Sequence, residues 1–166
     1  MKIIVAVDKK WGIGKDNGLL FSIPEDMKFF RTTTLGKVVV MGANTLRSFP
    51  GENPLKNRTN IVLSSTIKRN DCITINSLDK LKEELLKYPQ DDVYIIGGAR
   101  FYQTMLPFVS EALVTKVDAD GDADVFFPDL DAIDGWELVK SGEVINTGGY
   151  NITFNTYKNY KAKCFI

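Results

Sequence analysis

One carboxylate in this chain stands where it could do acid–base work. In Ser22-Ile23-Pro24-Glu25-Asp26-Met27-Lys28-Phe29-Phe30, the residues Ile23, Met27, Phe30 and Thr34 recur at spacings of three or four, the stripe of an amphipathic helix. Asp26 lies three after Ile23 and four before Phe30, beside that stripe. A carboxylate among apolar side chains loses hydration, which disfavours its charged form and raises its pKa. Such a group can bind a cationic heterocycle or assist a proton transfer. The plainer reading of the same position is an exposed Asp that complements the helix dipole. Ser22, with Glu25 three residues on and proline in the first turn, predicts a capping box at the helix start. The chain has no histidine, so Ser-His-Asp triads, His–Cys pairs and the usual His-rich zinc sites are excluded. Proton chemistry falls to carboxylate, Lys, Tyr, Cys or water.

Phosphate binding is the second chemistry on offer. Val93 to Ile96 is an apolar run that stops at Gly97-Gly98, and a segment with Phe101, Met105 and Leu106 at helical spacing follows. Strand, glycine pair, helix brings bare backbone amides and a helix N-terminus to one place, where an anion can be held. Gly42-Ala43-Asn44-Thr45 follows the run Val38 to Met41 in the same manner, and a third run ends in Leu63-Ser64-Ser65-Thr66 with Lys68 and Arg69 beyond. Each is weak alone, because Gly-x-Gly-x-x-Gly is absent. If the three runs are parallel neighbours, their exits converge at the ligand-binding edge of an open α/β sheet. The acidic run 118–124 fails as a calcium loop: counting from Asp118, Ala123 and Asp129 occupy the positions where an EF-hand needs Gly and Glu.

The elements that must position these groups alternate. Strand-like runs at 2–7, 37–41, 59–63, 72–75 and 93–96 are separated by helical ones at 24–34, 43–48, 78–88 and 99–106, which argues for a single α/β domain with a mostly parallel sheet. The runs 112–117, 137–140 and 151–157 have no helices between them and predict antiparallel additions at the sheet edge. Residues 9–22 form a long glycine-bearing connection without periodicity, the kind that serves as a lid. The 166 residues carry 21 basic and 21 acidic side chains, so no global field draws the protein to nucleic acid or membrane. The apolar run after Met1 is too short for a signal or a membrane span, so a cytoplasmic protein is expected. Cys72 and Cys164 match no metal or redox spacing.

Taken in order, these motifs resemble the bacterial chromosomal dihydrofolate reductases over essentially the whole chain, residues 1–166. The resemblance rests on Ile4-Val5-Ala6-Val7, Gly12-Ile13-Gly14 with Asn17-Gly18, Ile23-Pro24-Glu25-Asp26 with Phe30, and Val40-Met41-Gly42 with Thr45 and Ser48. It continues through Leu55, Arg58 and Asn60, Leu63-Ser64-Ser65, Ile96-Gly97-Gly98 with Arg100 and Tyr102, Thr115, and Asp124 with Phe127-Pro128. It implies a central eight-stranded mixed sheet with flanking helices and an antiparallel C-terminal hairpin. It also implies reduction of dihydrofolate to tetrahydrofolate with NADPH, and a monomer open to antifolate inhibitors. Carried over by position, Asp26 is the ionisable group against the pterin and Thr115 the residue that holds it. Ile4, Val5, Leu20, Met27, Phe30, Phe49, Leu55 and Ile96 border the folate, and Arg58 clamps its glutamyl carboxylate, a task suited to a planar guanidinium. Ala6, Ile13 and Gly14 border the nicotinamide. Gly42, Ala43, Asn44, Thr45, Leu63, Ser64, Ser65, Ile96, Gly97, Gly98, Ala99, Arg100, Phe101 and Tyr102 hold the rest of the cofactor, with a cis peptide between Gly97 and Gly98.

The chain departs from the family pattern twice. Leu20-Phe21 stands where the family has Pro-Trp, so Phe21 takes the catalytic-site position of an indole and cannot donate its hydrogen bond. Ala43 stands where an arginine often follows the glycine, which shifts recognition of the cofactor 2′-phosphate to Ser65, Thr66, Lys68 or Arg69. Rival readings are a same-fold pterin or riboflavin-pathway reductase, and a nucleotide-binding protein without turnover. The presence of both Asp26 and Arg58 favours a folate.

Overall fold

The computed structural model describes residues 1–16 and 18–166, so the part of the Asn17-Gly18 motif that falls on Asn17 lies outside the described residues. The elements, in chain order, are β1 (Lys2–Val7), β2 (Gly12–Lys15), β3 (Gly18–Leu19), α1 (Pro24–Thr34), β4 (Val38–Gly42), α2 (Ala43–Ser48), β5 (Thr59–Leu63) and β6 (Ile73–Ile75). They continue with α3 (Leu78–Leu85), β7 (Val93–Gly97), α4 (Ala99–Met105), β8 (Glu111–Val117), β9 (Val125–Phe126), β10 (Trp136–Ser141), β11 (Ile145–Thr147) and β12 (Tyr150–Asn159). Eight strands run in the order β10-β12-β8-β1-β7-β4-β5-β6, and β11 joins by pairing with β12. From β8 through β6 every pairing is parallel, while β12 is antiparallel to β8, β10 and β11.

Alternation along the strands divides the core in two. Ile3, Val5 and Val7 of β1, with Val38, Val40 and Ile95, meet Leu81 and Leu85 of α3 and Met105 of α4. On the opposite face Ile4, Val39, Met41 and Ile96 meet Leu46 of α2 and Phe29 and Phe30 of α1. Because both faces of the central strands are covered, those strands are apolar without alternation, which is the pattern read in the sequence. No helix among the described residues is long and apolar enough to cross a membrane.

Three expectations need correction. The strand expected at 112–117 as an antiparallel addition at the sheet edge is β8, which lies inside the sheet and parallel to β1; α4 and the 3-10 turn after it supply the crossover that a parallel strand needs. The connection 9–22 is not without regular structure: β2 pairs with β3 and with β9, whose partner residues come from the far side of the acidic run. The capping box does not form. The cap position of α1 is Ile23 rather than Ser22, without a side-chain cap, and Ser22 Oγ instead points to Met27 Sδ at 3.7 Å. Pro24 opens the helix where the sequence placed its start, so Asp26 falls on its third position, in the first turn.

Candidate active site

The parallel order β1-β7-β4-β5 sets four strand exits side by side. Met41 of β4 lies in register with Gly97 of β7, and Gly42 with Leu63 of β5, so the two glycine exits and the serine exit do converge. Gly97 has φ +129°, a conformation that side chains strongly resist, and the following peptide to Gly98 is cis, as expected from the resemblance. A Cβ on Gly97 would stand 3.1 Å from Thr45 Oγ1, and one on Gly42 would reach Gly98 N at 3.9 Å. Bare backbone therefore lines the junction between β4 and β7.

Across the sheet, α1 brings Asp26 to β8. Thr115 is 2% exposed, and its Oγ1 donates to Asp26 Oδ1 at 2.7 Å. Burial pushes the Asp26 carboxyl above the usual carboxylate range, and the Thr115 hydroxyl offsets part of that rise. The groups around it are apolar: Phe29 packs on Phe154 with ring centroids 4.6 Å apart, and Phe30, Phe49 and Leu55 lie against the cluster that contains Ile4 and Ile96. Met27, one position after Asp26, remains 57% exposed. Leu20 and Phe21 approach from the other side, with Phe21 edge-on to Tyr150 at 4.9 Å.

Arg58 marks the far end of α1. Its Nε donates to the Lys56 carbonyl at 2.9 Å and its Nη1 reaches Thr34 Oγ1 at 3.4 Å. Partial burial and the nearby Arg31 lower its pKa, which still leaves an arginine charged at neutral pH. A residue without an assigned role in the sequence reading, Asn60, builds this corner. Its side chain accepts from Leu55 N and donates to the Leu55 and Arg58 carbonyls at 2.9, 2.9 and 3.2 Å. Its signal was an amide next to the apolar run Ile61-Val62-Leu63.

Several expected contacts sit elsewhere. The Val5 side chain belongs to the cluster on the opposite face of the sheet, as do those of Phe101 and Tyr102, although the Tyr102 ring still reaches the glycine exit, 3.6 Å from a Cβ placed on Gly97. Tyr102 does connect the two faces, because its hydroxyl donates to the Ile4 carbonyl at 2.9 Å. Arg69, one candidate for the 2′-phosphate, forks onto Asp71 at 2.8 and 2.6 Å and also donates to the Glu52 carbonyl. Ser65, Thr66 and Lys68 beside it are exposed. The acidic run is taken up by lysines: Asp118, Asp120 and Asp122 pair with Lys9, Lys10 and Lys15.

Comparison with known proteins agrees with this arrangement. The family described as "Dihydrofolate reductase" matches residues 1–159. A dihydrofolate reductase of Schistosoma mansoni is 34% identical over 95% of this chain and 91% of its own length. Those of Staphylococcus haemolyticus and Neisseria gonorrhoeae are 32% and 33% identical, over 97% and 93% of this chain and 96% and 95% of their own lengths. Likeness that runs nearly end to end in such distant organisms, on a sheet whose exits and partly buried Asp26 fall where the motifs required, makes this chain a member of the dihydrofolate reductase family.

Proposed function

We propose that residues 1–166 act as one domain that reduces dihydrofolate to tetrahydrofolate with NADPH, as a monomer open to antifolate inhibitors. The observation that carries this reading is the partly desolvated Asp26, held by Thr115 at 2.7 Å at the mouth of an apolar cleft. A pterin presents a ring nitrogen and an amino group in one plane, which a carboxylate can meet with two hydrogen bonds. Its negative charge then favours protonation of the neighbouring ring nitrogen, and the apolar walls of Ile4, Phe30, Phe49 and Ile96 keep competing water away. Phe21 fills the space beside the substrate without a donor, so it shapes the cleft and contributes no hydrogen bond.

The residues at the strand exits fit the cofactor. The cradle of Gly42, Gly97 and Gly98 is one that a Cβ would partly fill, and it suits a pyrophosphate, with Thr45, Ser64 and Ser65 offering hydroxyls. Ala6, Ile13 and Gly14 would border the nicotinamide, which supplies the hydride when bound. Lys68, with Ser65 and Thr66, is the best-placed group for the 2′-phosphate, because Arg69 is engaged by Asp71. Arg58 would take a carboxylate of the glutamyl tail and thereby orient the pterin toward Asp26. The chain's work is alignment of two rings and exclusion of water.

Deuterium tracing tests the reaction. With NADPH labelled at the transferable position and dihydrofolate as partner, the label should appear in tetrahydrofolate. Unchanged dihydrofolate, or transfer to a riboflavin-pathway pyrimidine instead, would replace this reading.

A further inference from the structure

The carboxylate of Asp8, just past the end of β1, lies outside the cleft and is only 3% exposed. Its two oxygens serve two different segments. Oδ1 accepts from the amides of Lys10 at 2.8 Å and Gly12 at 2.7 Å, and Oδ2 accepts from the amide of Gly121 at 3.0 Å. The segments are in close contact around it, since a Cβ on Gly12 would stand 2.4 Å from the Ala123 Cβ and 2.8 Å from Asp8 Oδ2.

Each segment leads to one side of the cleft. Gly12 is followed by Ile13 and Gly14 in β2, which pairs with β9. Gly121 underlies Leu20 and Phe21, whose side-chain atoms would stand 3.0 to 3.2 Å from a Cβ placed on it. We infer that Asp8 is a positioning residue for the reaction, whose carboxylate fixes residues 9–14 to residues 118–124 so that Ile13-Gly14 and Leu20-Phe21 are set over the reacting rings together. This rests on the reductase reading above.

The three lysine–aspartate pairs span the same junction on its outside, at 3.3, 2.9 and 2.9 Å. They are exposed, so salt screens them, whereas buried hydrogen bonds to Asp8 are little affected. Asp8→Asn separates the two contributions. An amide offers one acceptor and one donor, so whichever way it turns, a donor meets the amides of one segment and that segment loses its partner.

The test compares wild type with Asp8→Asn as full chains. Amide hydrogen exchange should quicken by about tenfold at Gly121, or at Lys10 and Gly12, while Ile3 and Ile95 in the central strands stay within about twofold. Single-turnover NADPH oxidation with dihydrofolate should slow by roughly tenfold in the variant, because small displacements of a positioning segment are costly. In about 1 M salt the variant, which leans more on the exposed pairs beside the backbone bonds Lys9 N to Ala119 O and Asp124 N to Gly14 O, should slow by a further threefold or so, and wild type by less than twofold. Unchanged exchange at all three amides, or acceleration alike at the junction and in the central strands, would overturn the inference, as would a variant whose turnover and salt response match wild type. A wild type that does not oxidise NADPH would remove the reductase reading instead, and the exchange data would then judge the junction alone.

Discussion

Asp26 is the residue on which the chemistry turns, and its environment makes a prediction about stability as well as rate. Burial raises its folded pKa above the unfolded value, so the native state keeps the proton to higher pH than the unfolded chain does. Stability is therefore lost as pH rises from the unfolded value through the folded one, and stays lost above it. Asp26→Asn should accordingly be more resistant to urea than wild type at neutral pH, with the difference shrinking below the usual carboxylate range; a constant difference across pH would mean that burial does not perturb this acid. Arg58 offers a separate test, of the substrate end alone. Arg58→Leu should raise KM for dihydrofolate by about tenfold or more, the loss of a charge-assisted bond, and leave KM for NADPH nearly unchanged in steady-state assays. A larger effect on the cofactor would put Arg58 in the other half of the cleft.

Among the elements, the exits of β4, β5 and β7 carry the cofactor predictions. Gly97→Ala puts a Cβ at φ +129° and 3.1 Å from Thr45 Oγ1, so thermal unfolding should show a loss of more than about 1 kcal/mol and NADPH titration a weakened affinity. Lys68→Ala should lower the NADPH-to-NADH ratio of kcat/KM more than Arg69→Ala does, because Arg69 already forks onto Asp71; the opposite order would show that Asp71 releases Arg69 to the phosphate. The elements legible in sequence were those with a strong period and a clear stop. The long apolar runs of β1, β4, β5 and β7 and the start of α2 at Ala43 needed no tertiary information. The strands β2, β3 and β9 escaped because they are two to four residues long, and the β2–β9 pairing depends on a partner more than a hundred positions away. The Asp8 link is of the same kind, spanning 113 positions to Gly121. The capping box misled because a real motif lay one residue away from the real helix start.

At the scale of the molecule, a balanced charge conceals a complementary pair of segments, basic at 9–15 and acidic at 118–124, that the fold presses together beside the cleft. Topology does the same for the chemistry. The crossover through α4 lays β8 beside β1, and Thr115 thereby meets Asp26 across 89 positions of sequence. Sequence motifs alone implied that meeting only through family likeness, since nothing local to either residue specifies the other. The most direct measurement of the whole account is the pH profile of NADPH consumption with dihydrofolate, for wild type and Asp26→Asn side by side. Wild type should consume NADPH at neutral pH, and the variant should be slower by about 10²-fold or more, recovering much of the loss in acid where the substrate is protonated before binding. A wild type that leaves NADPH untouched, or a variant within a few-fold of wild type at neutral pH, would contradict it.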